Sequence, residues 1–392
     1  MRKKLLPLFL SQSFRSVAVS LLSFFSAIYI FKSVLNTGSG EKQAFLAVFL
    51  FYLVLFIFKF IGVSLAEELA LKFGLKRQVF IGQFLNALAI LAFVASQSQF
   101  LFLWLASALW GAAIGFFWFG WHGLFIKDGY AREYGKALGL GSLLETSFLL
   151  LTPFLGGVLI GVFGYQALFW TSFFFIFLGV LAILTTFDQK THHDTSPQEV
   201  LGLFWTHKRM TLSYLSSGIL GVLYSPVFIL YVFFFLKKEL ALGGFFSLSM
   251  IVTAIANYSI GKRVDQKGKR DLIAYGSYFS FLAWLGRFLV SAPSILFIFD
   301  VIYRLAGGML GIPLGVLTYQ KARDGHSTGR ALLFRELAIT LGSVLACLLL
   351  IVFVLMQLEL RYVFLGGAGF SLLPLLIVRE RGIYGEPNES RQ

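Results

Sequence analysis

The sequence predicts an all-α integral membrane protein with twelve transmembrane helices in two pseudo-symmetric six-helix bundles. Three observations lead to this prediction: the composition, the length of the apolar segments and an internal repeat. Hydrophobic residues make up 58% of the 392 residues and charged residues only 13%, which is more apolar surface than one water-soluble core could bury. Lipid is therefore expected to be the solvent for much of the chain.

The apolar segments have the length of membrane-spanning helices. A bilayer core about 30 Å thick needs roughly 20 apolar residues in a helix, because only a helix or a closed barrel satisfies its own backbone there. The basic N-terminus resembles a secretory signal, but the apolar run continues to Phe31, so we interpret it as an uncleaved first helix. In chain order, the spans are predicted near residues 11-31, 43-66, 78-97, 100-125, 137-163, 165-187, 210-236, 241-261, 271-291, 294-318, 331-357 and 360-378.

The basic residues indicate how these spans are oriented. Lys and Arg collect in every second loop, as at Lys72, Lys76 and Arg77 between spans two and three. Because basic loops remain cytoplasmic, we expect both termini on the cytoplasmic side of the plasma (inner) membrane. The net charge of +14 is thus interpreted as a topology signal rather than as a sign of nucleic-acid binding. The predicted outer loops hold few basic residues: Lys32, Lys42, Lys237, Lys238 and Arg361.

An internal repeat divides the chain into two similar halves. Four pairs of landmarks recur at an offset of 194 residues: Gly74 and Gly268, Gly135 and Gly329, Lys127 and Lys321, and Arg15 and Arg209. Such a repeat favours duplication of a six-helix unit. Parallel repeats place a binding site at the interface between the halves. We predict an N-terminal six-helix bundle at 1-187, a cytoplasmic linker at 188-208, a C-terminal six-helix bundle at 209-378 and a cytoplasmic tail at 379-392.

The loop between spans eight and nine resembles a signature of the major facilitator superfamily. From Gly261 to Arg270 it has the order Gly, three residues, Asp, two residues, Gly and two basic residues. The first-half copy has Leu71 where the family has Asp. The resemblance implies a twelve-helix transporter in which this loop favours one face of an alternating-access cycle. It assigns the role of a conformational latch to Gly261, Asp265, Gly268, Arg270 and Gly74.

Ionisable residues inside the predicted spans are the candidate functional residues. A charge at the bilayer centre costs at least about 2.5 to 3.5 kcal/mol, so it needs a partner, water or a function. We predict that seven such residues belong to a substrate or proton pathway: Lys59, Glu145, Arg287, Asp300, Arg304, Arg335 and Glu336.

Four of the ionisable residues are expected to have specific surroundings. Asp300 and Arg304 are four residues apart and share a helix face, where they can pair. This pair is either a structural ion pair or a pathway pair that opens when a substrate or proton arrives. Arg287 is expected to be structural or to extend toward the membrane surface. His122, near the inner end of span four, is expected to be a packed residue rather than a proton carrier.

The other four residues of this set form two predicted pairs. Glu145 is interpreted either as a proton carrier or as a static partner of Lys59. Lys59 in turn binds an anionic group or neutralises Glu145. Arg335 and Glu336 are adjacent in a helix, and we expect them to point in different directions.

These features together predict a secondary active transporter that moves a small molecule by alternating access. We expect proton-coupled export of an amphipathic compound, as in an antiporter. The alternative is uptake or flipping of a polar, anionic or lipid-like solute. The sequence has no phosphate-binding loop and no His-Glu-x-x-His motif, which argues against an enzyme; a channel or a receptor remains open. We expect a monomer in membrane lipid that binds a small-molecule substrate and protons, with no cofactor, no metal and no nucleic acid.

Overall fold

A computed structural model describes residues 6–128, 134–186, 188, 197–264, 269–324 and 328–378. These residues are almost entirely helical, and no strand occurs among them. The first helices are α1 (Leu6–Leu35), α2 (Glu41–Phe73), α3 (Leu75–Ala95), α4 (Phe102–Asp128), α5 (Tyr134–Leu149) and α6 (Thr152–Leu184). The others are α7 (Pro197–Thr206), α8 (Lys208–Val222), α9 (Ile229–Leu236), α10 (Glu239–Val264), α11 (Lys269–Leu289), α12 (Pro293–Asp324), α13 (Thr328–Leu355), α14 (Val363–Ser371) and α15 (Leu375–Val378).

Some of the predicted spans are built from more than one helix. Span five consists of α5 and the first part of α6, and the rest of α6 is span six. Gly164 divides α6 with φ 79° and ψ 178°, a conformation that glycine adopts without strain. Its position is the predicted boundary between the two spans. Span seven joins α8 and α9 through the π-helical turn Leu223–Phe228, and span twelve begins with the 3-10 turn Leu360–Tyr362.

The described helices are suited to lipid rather than to water. Nine apolar stretches are long enough to cross a bilayer in the part of the chain that the structure describes. One of them, the 42-residue stretch Leu143–Leu184, contains the two crossings that Gly164 separates; α10 and α11 supply two more. Large apolar side chains remain exposed, among them Phe163 at 69% and Phe174 at 55%. Lipid solvates such surface, whereas water disfavours it by roughly 25 cal/mol per Å². The predicted fold class is therefore confirmed.

Glycines bring α4 unusually close to α2. A Cβ atom added at Gly111 would lie 2.0 Å from the carbonyl oxygen of Leu55, and one at Gly115 would lie 2.6 Å from the amide nitrogen of Val63. Small residues of this kind allow two helix backbones to approach in a membrane. Because Lys59 lies between these contact points on α2, its buried side chain is held in a fixed position beside α4.

The two halves meet along two pairs of helices. Helix α2 packs along α13, and α6 packs along α10. The second contact is tight, since a Cβ atom at Gly157 would lie 2.6 Å from the carbonyl oxygen of Glu239 and one at Gly243 would lie 2.2 Å from that of Pro153. The space between the halves is therefore closed along the α6–α10 side.

Part of the predicted linker, 188-208, is a helix rather than a solvated loop. Helix α7 has a buried face toward α13, where Val200 is 3% exposed and the Phe204 ring lies 5.2 Å from the Phe334 ring. Trp205, on its other face, is 76% exposed. The apolar residues of α7 recur at helical spacing, which explains why this stretch folds onto α13 as an amphipathic helix.

Candidate functional site

A cavity of about 340 Å³ lies between the two halves. Helices α1, α2 and α4 contribute its walls from the first half, and α13 contributes from the second. The lining residues are Gln12, Lys59, Trp118, Trp121, His122, Arg335, Glu336 and Ile339. Charged side chains from both halves thus meet in one enclosed space.

Three charged residues form a connected group in the cavity wall. Glu336 accepts from Arg335 Nη1 at 2.8 Å through one carboxylate oxygen, and the other oxygen lies 3.5 Å from Lys59 Nζ. The expectation that Arg335 and Glu336 point in different directions is wrong. The long Arg335 side chain bends back to its neighbour, because a buried carboxylate in a low-dielectric setting requires nearby cations. Lys59 is likewise nearly buried, with 8% of its side chain exposed.

His122 belongs to this group, although the sequence indicated only a packed residue. Its Nε2 atom lies 3.3 Å from Arg335 Nη1. A guanidinium group only donates hydrogen bonds, so Nε2 must accept and the imidazole proton of the neutral ring lies on Nδ1. The ring also stacks on Trp118 with centroids 5.2 Å apart. The i,i+4 spacing of Trp118 and His122 was visible in the sequence, but the approach of Arg335 depends on the packing of α4 against α13.

Glu145 lies directly behind the cavity wall, on α5. Gln12 Nε2 donates to one of its carboxylate oxygens at 2.8 Å, and the Ser16 hydroxyl donates to the other. Arg15 interacts with it electrostatically. The interpretation of Glu145 as the static partner of Lys59 is wrong, since Lys59 contacts Glu336 instead. Because Gln12 also lines the cavity, one hydrogen bond connects Glu145 to the cavity surface.

A second group of charges surrounds Asp300 in the C-terminal half, away from the cavity lining. Arg304 Nε donates to Asp300 at 2.8 Å, which is the pairing that their spacing predicted. Arg287 Nη2 donates to the same carboxylate at 3.1 Å. Tyr224 and Ser249 add hydroxyl donors. The carboxylate of Asp300 is therefore contacted by two cations and two hydroxyl groups.

Arg287 is enclosed and does not extend toward the membrane surface. It is 0% exposed, and its guanidinium carbon lies 3.7 Å from the ring centre of Phe228 and 4.5 Å from that of Trp284. Aromatic faces attract a cation, and the Asp300 carboxylate supplies the opposite charge. The expectation of an extended side chain is wrong because these partners lie inside the bundle.

The predicted latch residues are described only in part. Gly74 joins α2 to α3 with φ 90°, and a Cβ atom there would lie 2.5 Å from the Asp188 carboxylate. That carboxylate accepts from the backbone amide of Lys76 at 3.1 Å and so caps the N-terminus of α3. Asp188 was not recognised in the sequence, because it follows span six. Gly261 lies near the end of α10 and Arg270 near the start of α11, while Asp265 and Gly268 lie outside the described residues.

Comparisons with known proteins place this architecture. A sequence model described as Major Facilitator Superfamily matches residues 8–332. The human organic anion transporter MFSD10 has a similar structure, with 14% identity and a TM-score of 0.72 over 96% of this chain and 99% of that chain. A POT peptide transporter in complex with alafosfalin has 13% identity and a TM-score of 0.70 over 96% and 94%. A D-xylose-proton symporter has 11% identity and a TM-score of 0.71 over 95% of each chain. At such identities the likeness shows the fold. No curated protein sequence matches this chain significantly.

Proposed function

Since this chain belongs to the Major Facilitator Superfamily and is a secondary transporter of that fold, we propose that it exports a small amphipathic compound in exchange for protons. The observation that supports this proposal is the cavity between the halves, whose wall combines buried charges with aromatic side chains. Uptake or flipping of a polar, anionic or lipid-like solute is the second candidate. The charged group in the wall favours it, because such a solute would need ionic partners.

The cavity has the properties of a substrate site. Ligand sites are typically concave, about 300–1,000 Å³ in volume, and mostly apolar with a few convergent polar groups. In a carrier built from two parallel repeats, the site lies between the repeats near the bilayer midplane. Lys59 lies about midway along α2, and this position agrees with such a depth.

Alternating access requires contacts between the halves that can form and break. On the predicted inner side of the cavity, Arg335 contacts His122 and Glu336 contacts Lys59. On the predicted outer side, Glu239 accepts from Lys32. Each of these contacts joins one half to the other, so opening the cavity toward either side would break one group while the other remained.

Glu145 is the proposed proton-binding residue. It is a carboxyl group connected to the cavity through Gln12, with Arg15 as a nearby cation. Proton uptake would remove its charge and weaken its hydrogen bonds as an acceptor. The change would reach the substrate site through the Gln12 side chain, which provides a route for coupling.

Several broader assignments accompany this proposal. The protein is placed in the plasma (inner) membrane as a monomer with both termini in the cytoplasm. Its bundles are assigned to 1-187 and 209-378, separated by the linker 188-208; the tail, 379-392, lies outside the described residues. The set Gly261, Asp265, Gly268, Arg270 and Gly74 is proposed as the latch, and Asp188 is added to it in place of the Asp missing at Leu71.

Flux in proteoliposomes tests the proposal. Purified protein is reconstituted, and amphipathic compounds are screened with and without a pH gradient. A proton-coupled carrier should give saturable flux that the gradient drives and that counter-transport stimulates. Non-saturable flux would instead indicate a channel, and binding without flux would indicate a receptor; either result contradicts the proposal.

A further inference from the structure

The charged groups that line the cavity carry a net positive charge. Lys59 and Arg335 are cations, and Glu336 is the one carboxylate among the lining residues that the structure describes. His122 is neutral, because its Nε2 accepts from Arg335. Behind the wall, Arg15 offsets the charge of Glu145. The lining therefore has an excess of one positive charge in a low-dielectric space, where charge interactions are strong.

The rest of the lining is suited to an apolar body with some polar substituents. Trp118 presents a partly exposed indole face, and Ile339 lies across the cavity on α13. Two buried polar atoms here have no hydrogen-bond partner among the described residues: the Nε1 donor of Trp121 and the Oε1 acceptor of Gln12. Buried polar groups are normally satisfied, so a bound molecule with a polar substituent would complete them.

From this arrangement we infer that the cargo is a small amphipathic monoanion, whose charged group binds between Arg335 and Lys59 and whose apolar body lies against Trp118. This inference rests on the proposed function and defines its substrate class. The anion would replace Glu336 as the partner of the two cations. A dianion would leave one charge unpaired in a buried site, which is unfavourable, and a cation would meet an excess of like charge.

The size of the cavity narrows the class further. A volume of about 340 Å³ lies at the small end of the range for ligand sites, about 300–1,000 Å³. A single carboxylate on a fused aromatic ring system matches both the volume and the lining. A phospholipid, with two long acyl chains, does not fit an enclosed space of this size.

Four probes with the same aromatic body and different charges test the inference: naphthoate, naphthamide, naphthylmethylammonium and naphthalene dicarboxylate. Their binding to the full-length protein in detergent is measured by titration calorimetry without any gradient. Charge-assisted hydrogen bonds contribute more than neutral ones, so naphthoate should bind at least about tenfold more tightly than each of the other probes. Absence of naphthoate binding, or equal binding of naphthoate and naphthamide, overturns the inference.

Three variants assign the binding to the proposed groups. Arg335→Gln should weaken naphthoate binding about tenfold, whereas Glu336→Gln should strengthen it, because the competing carboxylate is removed. Lys238→Gln, which removes a positive charge from an exposed residue between α9 and α10, should leave binding unchanged. Loss of folding can only weaken binding, so the gain expected in Glu336→Gln is specific. Weaker or unchanged binding in that variant overturns the inference.

Failure of the inference can be separated from failure of the proposed function. Naphthoate binding without any proton-driven flux would retain the substrate class and remove the function. Proton-driven flux of an amphipathic cation, with no naphthoate binding, would retain the function and remove the class.

Discussion

At the scale of single residues, the two groups of buried charges differ in how firmly they are held. Asp300 accepts from four separate side chains and lies among aromatic rings. Glu336 has two cations beside it, and the more distant one is 3.5 Å away. A carboxylate with fewer and longer contacts is easier to displace. We therefore expect the Asp300 group to be mainly structural and the Glu336 group to rearrange during transport.

Asp300→Asn tests the structural role of the first group. The variant removes the carboxylate that compensates Arg287 and Arg304, and leaving a buried charge without its partner typically costs about 3–5 kcal/mol. We expect a clear fall in the thermal unfolding temperature in detergent. Asp271→Asn, at an exposed position in the first turn of α11, is the control and should unfold near the wild-type temperature. Equal unfolding temperatures for the two variants would contradict a structural role.

Glu145→Gln tests the proton-binding residue. The amide cannot take up a proton in the relevant range, so proton-driven flux should be lost, while exchange of substrate across the membrane should continue. Both rates are measured in proteoliposomes. Glu68→Gln serves as the control, because Glu68 lies on the exposed face of α2 and pairs only with Lys72 in the described contacts. Unchanged proton-driven flux in Glu145→Gln would exclude this residue from coupling.

At the scale of helices, the close contact between α6 and α10 determines how the halves fit together. Neither helix has room for a side chain at the crossing, since backbone carbonyl oxygens lie where Cβ atoms would be at Gly157 and Gly243. Small residues at such a crossing are favoured in membranes because association depends on close packing. The contact also brings Glu239 near Lys32 and Tyr165, from both of which it accepts hydrogen bonds.

Substitution of two neighbouring glycines tests this crossing. Gly243→Ala places a methyl group 2.2 Å from the Pro153 carbonyl oxygen, and overpacking of this kind typically costs about 1–3 kcal/mol. Gly244→Ala meets no heavy atom within 4 Å, and it should be neutral or stabilising by up to about 1 kcal/mol because alanine favours a helix. The expected order of thermal stability is Gly244→Ala, wild type and then Gly243→Ala. A reversed order would show that the crossing is not tight.

At the scale of the whole molecule, the two halves are expected to move against each other, with the loop around Asp265 favouring one state. Asp265→Asn removes the carboxylate that the family resemblance places in the latch. We expect the variant to shift the balance of inward-open and outward-open states in an accessibility-labelling assay. No shift relative to the wild type would leave the latch without support.

Labelling of single cysteines tests the orientation of the whole bundle. The one native cysteine, Cys347, is buried, so background reaction should be low. A membrane-impermeant maleimide added outside intact cells should not label Trp205→Cys, because α7 is placed on the cytoplasmic side. Leu101→Cys, at the equally exposed loop before α4 (75% against 76%), should be labelled. The opposite pattern would invert the predicted topology.

The sequence by itself determined the membrane environment, the number and approximate position of the spans and the division into two similar halves. Apolar length, positive loops and the repeat are local properties of the chain, and the break at Gly164 lies where the sequence placed it. The pairing of Asp300 with Arg304 was predictable for the same reason, because four residues in one helix fix their distance.

Only the tertiary structure decided which distant charges meet. Lys59 contacts Glu336 rather than Glu145, and His122 contacts Arg335, because α2 and α4 pack against α13 in a particular register. The enclosure of Arg287 likewise required aromatic rings from helices far apart in the sequence. Interhelical packing depends on the shapes of whole helix surfaces, and a periodic pattern in one helix carries no information about its partner's rotation or depth.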